Sequence, residues 1–413
     1  MINKFKALGG YLRALKVLND CRHIQQIYEK VRVVFVMQYL PSWEKVKILY
    51  DKMLLDDKIE PFILAIPMEQ KHEDIRYSKF ERNETYDFLI EQGYQVINGL
   101  GDDGNWLDLR SLKPDYVFYT RPYNSFLPDE YKSSSVAKYA RICVVMYGMP
   151  ISSIGQCGIN RDFFSYVSCY FAEDEEIKQI FMSKFYLGIM SHLQKVVVVG
   201  SPVLETVYEQ KKEQTDIWNF GKDEHGLKVL WLPRWSTDKK EGGSNFFKYK
   251  DALLEHFTKS HNKLLIRPHP LMFQNFINTG EWSEEEKNKF IKICYREENI
   301  ELDLSEIYTT TMWSSDILIA DITSIIPEYF LTGKPIIYCY PEAEIIHTEL
   351  MKKMLQSCYV VHNKKELFQI LDNLENNIDP LKIEREKQAK SMVQKYALGC
   401  SKKIISLVAF RKV

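Results

Sequence analysis

The residues best suited to chemistry lie in the second half of the chain. Arg267 and His269 stand in an Arg-Pro-His-Pro motif directly after a predicted strand. A guanidinium offers a planar pair of donors to phosphate oxygens, and an imidazole exchanges a proton near neutral pH. The two prolines restrict the backbone of the motif. The motif therefore indicates a loop that binds a phosphate group, and the alternative is a rigid surface turn with an incidental histidine.

A second loop, Asp321-Ile322-Thr323-Ser324, stands between a predicted strand and a predicted helix. Threonine and serine are natural helix N-caps, and the free amides at a helix start attract anions. We therefore expect Asp321, Thr323 and Ser324 to form part of a pyrophosphate site. Glu328, one turn further on, would accept hydrogen bonds from a ribose diol, and a solvated helix charge is the equally weighted alternative.

A third strand runs into Pro233-Arg234-Trp235. Arg234 is placed to add a second guanidinium to the phosphate site. Trp235 would stack on a base or pack in the core, and core packing is favoured because tryptophan is largely buried in most proteins.

The elements that position these loops follow an alternating pattern, in which short β-branched or aromatic runs are separated by amphipathic stretches. This pattern is typical of parallel strands joined by helices. The predicted strands are 31–36, 62–66, 116–119, 142–146 and 196–199, and then 229–232, 264–266, 317–320 and 336–338. Helices are predicted at 246–258, 283–294 and 324–331.

The pattern predicts two Rossmann-like α/β domains, at 31–208 and 209–380, with a polar linker at 210–226. Residues 1–30 are expected to form a separate basic amphipathic helix, and residues 381–413 to form C-terminal helices. In such folds ligands bind at the carboxyl ends of the strands, so the three loops are expected to line a cleft between the domains.

Composition excludes several classes of protein. The 413 residues carry a formal net charge of −1, which gives no reason to expect nucleic acid as a partner. The eight cysteines show no paired spacing, which favours reduced core thiols and a cytoplasmic location. No metal-binding motif or cofactor is indicated, and no apolar run approaches the roughly 18 residues of a membrane span.

The first 30 residues carry six lysines and arginines against two acidic residues, with Phe5, Leu8, Leu12 and Leu15 at helical spacing. Such a helix would lie on an anionic membrane surface, giving peripheral contact with the inner face of the cell membrane. The favoured alternative is a helix packed on the protein itself.

The motifs together resemble the CDP-glycerol glycerophosphotransferases of teichoic-acid and capsule synthesis. The resemblance rests on Lys-Val-Leu-Trp-Leu-Pro-Arg-Trp at 228–235, Arg-Pro-His-Pro at 267–270, Asp-Ile-Thr-Ser-Ile-Ile-Pro-Glu-Tyr at 321–329 and Gly-Lys-Pro-Ile-Ile-Tyr at 333–338, and it covers roughly 140–410. It implies a GT-B fold, a CDP-activated donor and a glycan or lipid-linked acceptor. It further implies that Arg267, His269, Thr323 and Ser324 engage the donor pyrophosphate and that Glu328 engages the ribose.

The acceptor side departs from the family pattern. Where family members often show Trp-His-Gly-Thr-Pro, with the histidine as base, this chain has Met146-Tyr147-Gly148-Met149-Pro150. A phenol with a pKa near 10 is a poor base at neutral pH, so Tyr147 is predicted to position the acceptor rather than deprotonate it. Gly148, Pro150 and Gly155 keep the spacing of the family loop. Gln38 and Trp43, after the first strand, would contact the acceptor. The alternative is that Gln38 is a capping residue and Trp43 packs in the core.

The resemblance leads to one function hypothesis and two alternatives. The hypothesis is transfer of glycerol phosphate or ribitol phosphate from a CDP donor to an acceptor hydroxyl, with release of CMP. The first alternative is a GT-B glycosyltransferase that uses a nucleotide sugar, since fold and phosphate site would look alike. The second is a nucleotide-binding regulator without activity.

Overall fold

The computed structural model describes residues 2–24, 28–68, 83–152, 158–212, 217–221, 225–305, 308–343 and 345–413. The chain forms two compact units. Unit 1 comprises residues 1–149, 158–206 and 395–413, and unit 2 comprises residues 150–157 and 207–394. Each unit contains one parallel sheet with helices packed on it.

In the described part of unit 1, seven strands pair in the order β3-β2-β1-β4-β5-β6-β7, and every pair is parallel. The strands are β1 (Val31–Met37), β2 (Ile59–Ala65), β3 (Val96–Asn98), β4 (Tyr116–Tyr119), β5 (Arg141–Val144), β6 (Cys169–Ala172) and β7 (Lys195–Val198). The order reverses between β1 and β4. Such a switch point leaves a crevice at the carboxyl edge of the sheet, where ligands bind in open α/β folds.

Among the residues described for unit 2, six strands pair in the order β10-β9-β8-β11-β12-β13, again all parallel. The strands are β8 (Lys228–Leu232), β9 (Lys263–Ile266), β10 (Ile300–Leu302), β11 (Ile317–Ala320), β12 (Ile336–Cys339) and β13 (Tyr359–Val361). The switch point lies between β8 and β11.

The helices fill the connections between these strands. Unit 1 contains α1 (Ile2–Arg22), α2 (Lys47–Leu54), α3 (Glu84–Glu91), α4 (Ser133–Val136), α5 (Arg161–Phe164), α6 (Glu175–Lys184) and α7 (Tyr186–Met190). After α8 (Pro202–Glu209), unit 2 contains α9 (Phe246–Lys259), α10 (Met272–Asn278), α11 (Glu284–Arg296), α12 (Thr309–Ser314), α13 (Ile325–Phe330), α14 (Glu349–Leu355), α15 (Lys364–Glu375) and α16 (Lys382–Met392). The last helix, α17 (Cys400–Ala409), belongs to unit 1.

The apolar runs that predict strands form the centre of each sheet. Helices cover both faces of a central parallel strand, so nearly all of its residues are apolar. In unit 2, Trp231 stacks on Phe246 with ring centroids 5.5 Å apart. The edge strands β3, β10 and β13 and the inner strand β6 were not predicted. The three edge strands have only three residues each, which is too short for a clear pattern, and β6 was missed although it is as long as several predicted strands. Ser283 caps α11 with a capping box to Glu286, which explains why the helix begins where its sequence indicates.

Both ends of the chain fold onto unit 1. In α1 the Tyr11 hydroxyl donates to Gln194 at 2.6 Å and accepts from the amide of Gly188 at 3.0 Å, so this helix packs on the protein. The 381–413 segment divides: α16 stays with unit 2, while Ile404 and Val408 of α17 join the core of unit 1. The apolar face of α17 packs against α2 and the core of unit 1, so burial of this face stabilises the helix in that position.

Seven cysteines in the described ranges are buried free thiols, as the absence of paired spacing predicts; Cys157 lies outside those ranges. No helix in the described part of the chain is long and apolar enough to cross a membrane. Within the same residues, no group of three or more histidine, cysteine or acidic side chains is arranged to hold a metal ion.

Candidate functional site

The three loops singled out in the sequence lie side by side in unit 2. They follow β9, β8 and β11, which are consecutive neighbours in the sheet. In a parallel sheet the carboxyl ends of neighbouring strands share one edge, so residues 267–270, 233–235 and 321–324 stand together there. This edge includes the switch point between β8 and β11, which makes it the expected ligand site of the unit.

The carboxylate of Asp321 ties the loop after β11 to its neighbours. The residue is 2% exposed. It accepts hydrogen bonds from the backbone amide of Arg234 at 3.0 Å, the side-chain amide of Asn245 at 2.9 Å and the hydroxyl of Ser244 at 3.3 Å. Burial raises the pKa of this carboxyl, and the hydrogen bonds oppose the shift. Asp321 therefore links the loops after β8 and β11, and a direct contact with the donor stays a prediction.

The guanidinium of Arg234 makes a second connection between the same two loops. Its Nη1 donates to the carbonyl of Ile322 at 2.7 Å, and the side chain is half-buried. Gly242 leaves room for it, because a Cβ there would come within 3.1 Å of the arginine Nε. Arg234 thus brings a fixed positive charge to the switch point, as a phosphate site requires.

Arg267 lies one strand further along the edge and has an acidic partner. Its Nη1 lies 2.6 Å from the carboxylate of Asp303, and its Nη2 donates to the carbonyl of Ser305 at 2.6 Å. The arginine and aspartate side chains are only 15% and 11% exposed. A phosphate that reached Arg267 would have to share the guanidinium with Asp303, so direct donor binding by Arg267 stays a prediction.

Glu328 lies on α13 behind the loop and is fully buried. It accepts a hydrogen bond of 2.5 Å from the Tyr308 hydroxyl, and the Tyr308 ring faces the guanidinium of Arg267 at 5.8 Å. The residue is therefore not a solvated helix charge. Its hydrogen bond holds Tyr308 beside Arg267, and a direct contact between Glu328 and a ribose stays a prediction.

The imidazole of His269 is held by its own loop and by the loop after β8. Its Nδ1 accepts from the amide of Leu271 at 3.2 Å, so the proton of the neutral ring is on Nε2. The centroids of the His269 and Trp235 rings are 6.3 Å apart. Trp235 also packs against the core of unit 2, which is the role that the sequence analysis favoured for it. The half-buried His269 is thus oriented as a hydrogen-bond donor.

Thr323 and Ser324 stand at the start of α13, where Ser324 occupies the N-cap position but its side chain makes no capping hydrogen bond. The Thr323 hydroxyl accepts from the amide of Ile325 at 3.4 Å, and both side chains are half-buried. α13 has six residues, so the local amides and hydroxyls contribute more to anion binding than an extended helix dipole would.

The acceptor-side predictions fall in unit 1. Gln38 follows β1 and is 7% exposed; its side-chain amide donates to the carbonyls of Pro67 at 3.2 Å and Phe126 at 2.5 Å. Trp43 is fully buried and packs edge-to-face on Tyr94 with centroids 5.0 Å apart. Trp43 therefore packs in the core, which is the second of its two predicted roles. Gln38 holds the loop after β4, and its contact with the acceptor stays a prediction.

Tyr147 and Gly148 follow β5, whose neighbour is β4, at the edge that contains the switch point of unit 1. The backbone amide of Tyr147 donates to the carbonyl of Thr120 at 3.2 Å, and both Tyr147 and Gly148 are half-buried. Gly155, which shares the family spacing, lies outside the described residues. An acceptor contact by Tyr147 and Gly148 stays a prediction.

Sequence reasoning missed Arg121, which follows β4 at the same edge. Its guanidinium lies over the ring of Phe126 at 4.1 Å. The signal was present, because the dipeptide Arg-Pro at 121–122 stands one residue after the end of β4 and resembles the Arg-Pro at 267–268 after β9. The first Arg-Pro has no histidine after it, whereas the second continues as Arg-Pro-His-Pro.

Comparison with known proteins adds the decisive observation. Residues 167–409, more than half of the chain, match the CDP-Glycerol:Poly(glycerophosphate) glycerophosphotransferase family. The chain belongs to this family. It is therefore an enzyme of the CDP-glycerol glycerophosphotransferase type, and the match includes all three loops of unit 2. No curated protein sequence matches the chain.

Solved structures agree on the fold of this glycerophosphotransferase. The UDP-GlcNAc 2-epimerase from Neisseria meningitidis bound to UDP-GlcNAc aligns with a TM-score of 0.59 at 14% identity, over 93% of this chain and 100% of that one. The wall teichoic acid polymerase TagF aligns with a TM-score of 0.57 at 12% identity, over 100% of this chain and 98% of that one. At such identities the likeness shows the GT-B type of fold, with two Rossmann-like units, as predicted.

Proposed function

We propose that this enzyme transfers glycerol phosphate or ribitol phosphate from a CDP-linked donor, bound by unit 2, to a hydroxyl of a cell-envelope or capsule glycan. One observation carries the donor assignment: Arg234, His269 and Thr323 converge at the switch-point edge of unit 2, inside the segment that matches the family. Arginine, imidazole and hydroxyl groups at such an edge suit a pyrophosphate.

The reaction would be an in-line displacement at the β-phosphorus of the donor. The acceptor oxygen forms the new bond to this phosphorus, the bond to the oxygen that bridges the two phosphorus atoms breaks, and CMP leaves with that oxygen. The acceptor proton passes to solvent or to a base. Charge developing on the leaving oxygen would be stabilised by the Nε2–H of His269 and by Arg234.

The test is release of CMP by the purified full chain. CDP-glycerol, CDP-ribitol and UDP-GlcNAc are supplied in parallel with a glycerophosphate oligomer as acceptor, and each nucleotide product is quantified. We expect turnover with a CDP-polyol only. Turnover with UDP-GlcNAc alone would establish the glycosyltransferase alternative, and binding of a CDP-polyol without turnover on any acceptor would support a regulator.

We further propose that unit 1 contacts the inner face of the cell membrane. α1 exposes Leu8 and Leu12, at 45% and 50%, and α7 exposes Tyr186 and Met190, both at 59%. A basic pocket in the same unit is lined in part by Arg22, Arg141, Lys195, Arg411 and Lys412. Exposed apolar side chains with nearby cations are what an anionic bilayer surface binds.

A further inference from the structure

A half-buried arginine, Arg121, lies at the switch point of unit 1, and no anionic side chain among the described residues pairs with it. Arg121 follows β4, which pairs with β1 on one side and with β5 on the other. The loops after β1, β4 and β5 therefore share this edge, and the loop after β5 carries Tyr147. Arg121 thus stands at the carboxyl edge of unit 1 where an open α/β sheet binds its ligand.

Aromatic rings surround the guanidinium. Its central carbon lies 4.1 Å from the ring centroid of Phe126 and 5.1 Å from that of Tyr39. Burial lowers the pKa of Arg121, and the nearby hydroxyls of Tyr147, Tyr39 and Tyr123 only partly oppose this effect. Within the described ranges, its buried Nη1 has no hydrogen-bond partner and no carboxylate forms an ion pair with it.

Three other buried or half-buried arginines differ in this respect. Arg32, Arg267 and Arg385 form ion pairs with Glu60, Asp303 and Asp379. A buried charge left without a partner is strongly destabilising, and cation–π contacts offset only part of that cost. A bound anion would supply the missing partner of Arg121.

The loop that carries Arg121 is held in place by hydrogen bonds. The amide of Tyr123 donates to the Arg121 carbonyl at 2.9 Å, and Asn160 donates to the Pro122 carbonyl at 2.8 Å. Gln38 fixes the backbone at Phe126, whose ring lies under the guanidinium. The cation is therefore preorganised, which lowers the entropic cost of binding a ligand.

Two tyrosine hydroxyls lie next to this cation. Burial raises the pKa of Tyr123 to about 12, and the hydroxyl of Tyr147 lies beside it. A ligand with one anionic group flanked by hydroxyls would match a guanidinium flanked by phenol hydroxyls.

We propose that Arg121 binds a phosphodiester of the acceptor, while Tyr123 and Tyr147 bind the adjacent polyol hydroxyls. The inference rests on the proposed function and deepens it, since it assigns the recognition of the acceptor phosphate to a particular side chain of unit 1. It predicts that the affinity for a glycerophosphate-bearing acceptor depends on the positive charge of Arg121.

The experiment measures binding to the intact chain without turnover. A short glycerophosphate oligomer, phosphate-free triglycerol, inorganic phosphate and CDP-glycerol are each titrated by calorimetry into the wild type, Arg121→Gln, Arg121→Lys and the control Arg32→Gln. Arg32 is a matched control because it also lies over aromatic rings of unit 1 but is paired with Glu60. Circular dichroism and melting curves verify folding.

For Arg121→Gln we expect the Kd for the oligomer to rise about 10- to 100-fold, as loss of a charge-assisted hydrogen bond implies. The Kd for CDP-glycerol and the weak binding of triglycerol should stay within about twofold, and Arg121→Lys should restore part of the oligomer affinity. Arg32→Gln should match the wild type. If Arg121→Gln does not fold, the comparison is made with Arg121→Lys, for which an oligomer Kd about 3- to 10-fold above that of the wild type is expected.

Several results would overturn the inference. These are an unchanged oligomer Kd in a folded Arg121 variant, an equal loss for triglycerol, a loss that affects CDP-glycerol instead, or no oligomer binding by the wild type. Binding of inorganic phosphate alone would point to a free anion and would also count against it. Arg121-dependent oligomer binding in a protein that turns over no CDP-polyol would uphold the inference while the proposed function fails.

Discussion

Asp321 and Glu328 show how a buried carboxylate can hold together the segments around a site. Asp321 accepts hydrogen bonds from the backbone amide of Arg234 and the side chain of Asn245, and Glu328 accepts from Tyr308. Each carboxylate is buried, so these hydrogen bonds are shielded from water. We predict that His269, at the carboxyl edge of the same unit, supplies the proton chemistry for the donor.

We expect His269→Ala to reduce transfer by at least about 10²-fold, because the ring would donate a hydrogen bond to the reacting phosphate. The melting temperature should stay within a few degrees of that of the wild type, because the ring does not belong to the hydrophobic core. The measurement is CMP release beside a melting curve. His261→Ala is the control, because that histidine is largely exposed and pairs with Glu375. Normal turnover by the His269 variant would remove this residue from the donor site, and unfolding would make it structural.

Tyr147→Phe should raise the acceptor KM with only a modest loss of kcat, because the hydroxyl positions the acceptor. A residue acting as the base would instead lose about 10²-fold or more in kcat when its proton-accepting group is removed. Steady-state kinetics with varied acceptor at saturating donor separate the two outcomes. Kinetics identical to those of the wild type would show that Tyr147 lies outside the site.

At the scale of elements, both units place polar residues directly after buried strands. β4 and β9 are each followed by Arg-Pro, and β6 is followed by Glu173. A side chain in this position is anchored by the sheet but stands at its carboxyl edge, which is why ligand sites recur there. The same position also buries ionisable groups, with consequences for stability.

Glu173 should make the stability of unit 1 depend on pH. It is 4% exposed and accepts a 3.0 Å hydrogen bond from Tyr170, and burial raises its pKa from 4.5 to about 8. The folded state therefore holds a proton that the unfolded state releases near pH 4.5. The contribution is fully present below that pH and declines, by on the order of 4 kcal/mol, as the pH rises towards 8.

Replacement of Glu173 by Gln should remove this decline, since glutamine stays neutral and still accepts from Tyr170. Urea unfolding at pH 5, 7 and 9 should give a free-energy advantage for the variant that is small at pH 5 and reaches a few kcal/mol at pH 9. Glu175→Gln, at an exposed position on α6, should show no such trend. Parallel pH curves for the wild type and the Glu173 variant would refute the assignment.

At the scale of the whole molecule, charge gives no long-range attraction to a membrane. The net charge is −1, so binding to anionic lipid must come from local features such as the basic pocket and the exposed apolar side chains of unit 1. Deletion of residues 1–25, the simplest test, would also remove Tyr11 and its buried hydrogen bonds. Substitutions at the exposed positions of α1 are therefore more informative.

The double substitution Leu8→Glu and Leu12→Glu should weaken sedimentation with phosphatidylglycerol vesicles about 10-fold or more, because each change replaces apolar contact with repulsion. Activity on a lipid-linked acceptor should fall, and activity on a soluble oligomer should stay near that of the wild type. Leu54→Glu and Leu55→Glu, at exposed positions beside α2, provide the control. Equal effects on both acceptors would exclude the membrane role.

The sequence by itself determined the elements and the edges that carry the chemistry. Strands 116–119 and 317–320 coincide with β4 and β11, because a run of buried apolar residues is a local signal. The end of such an apolar run also marks where the Arg-Pro-His-Pro and Asp-Ile-Thr-Ser loops begin. Motif resemblance then supplied the family, which the match over residues 167–409 shows.

Only the tertiary structure decided which loops are neighbours and which polar groups are buried. The order β9-β8-β11 brings together loops more than 30 positions apart, and no local pattern encodes that order. Side chains from distant segments bury Trp43 and Glu328 and pair Arg267 with Asp303. They also leave Arg121 without an acidic partner among the described residues. Hydrophobic periodicity is read along the chain, whereas desolvation and charge pairing arise only when the sheets assemble.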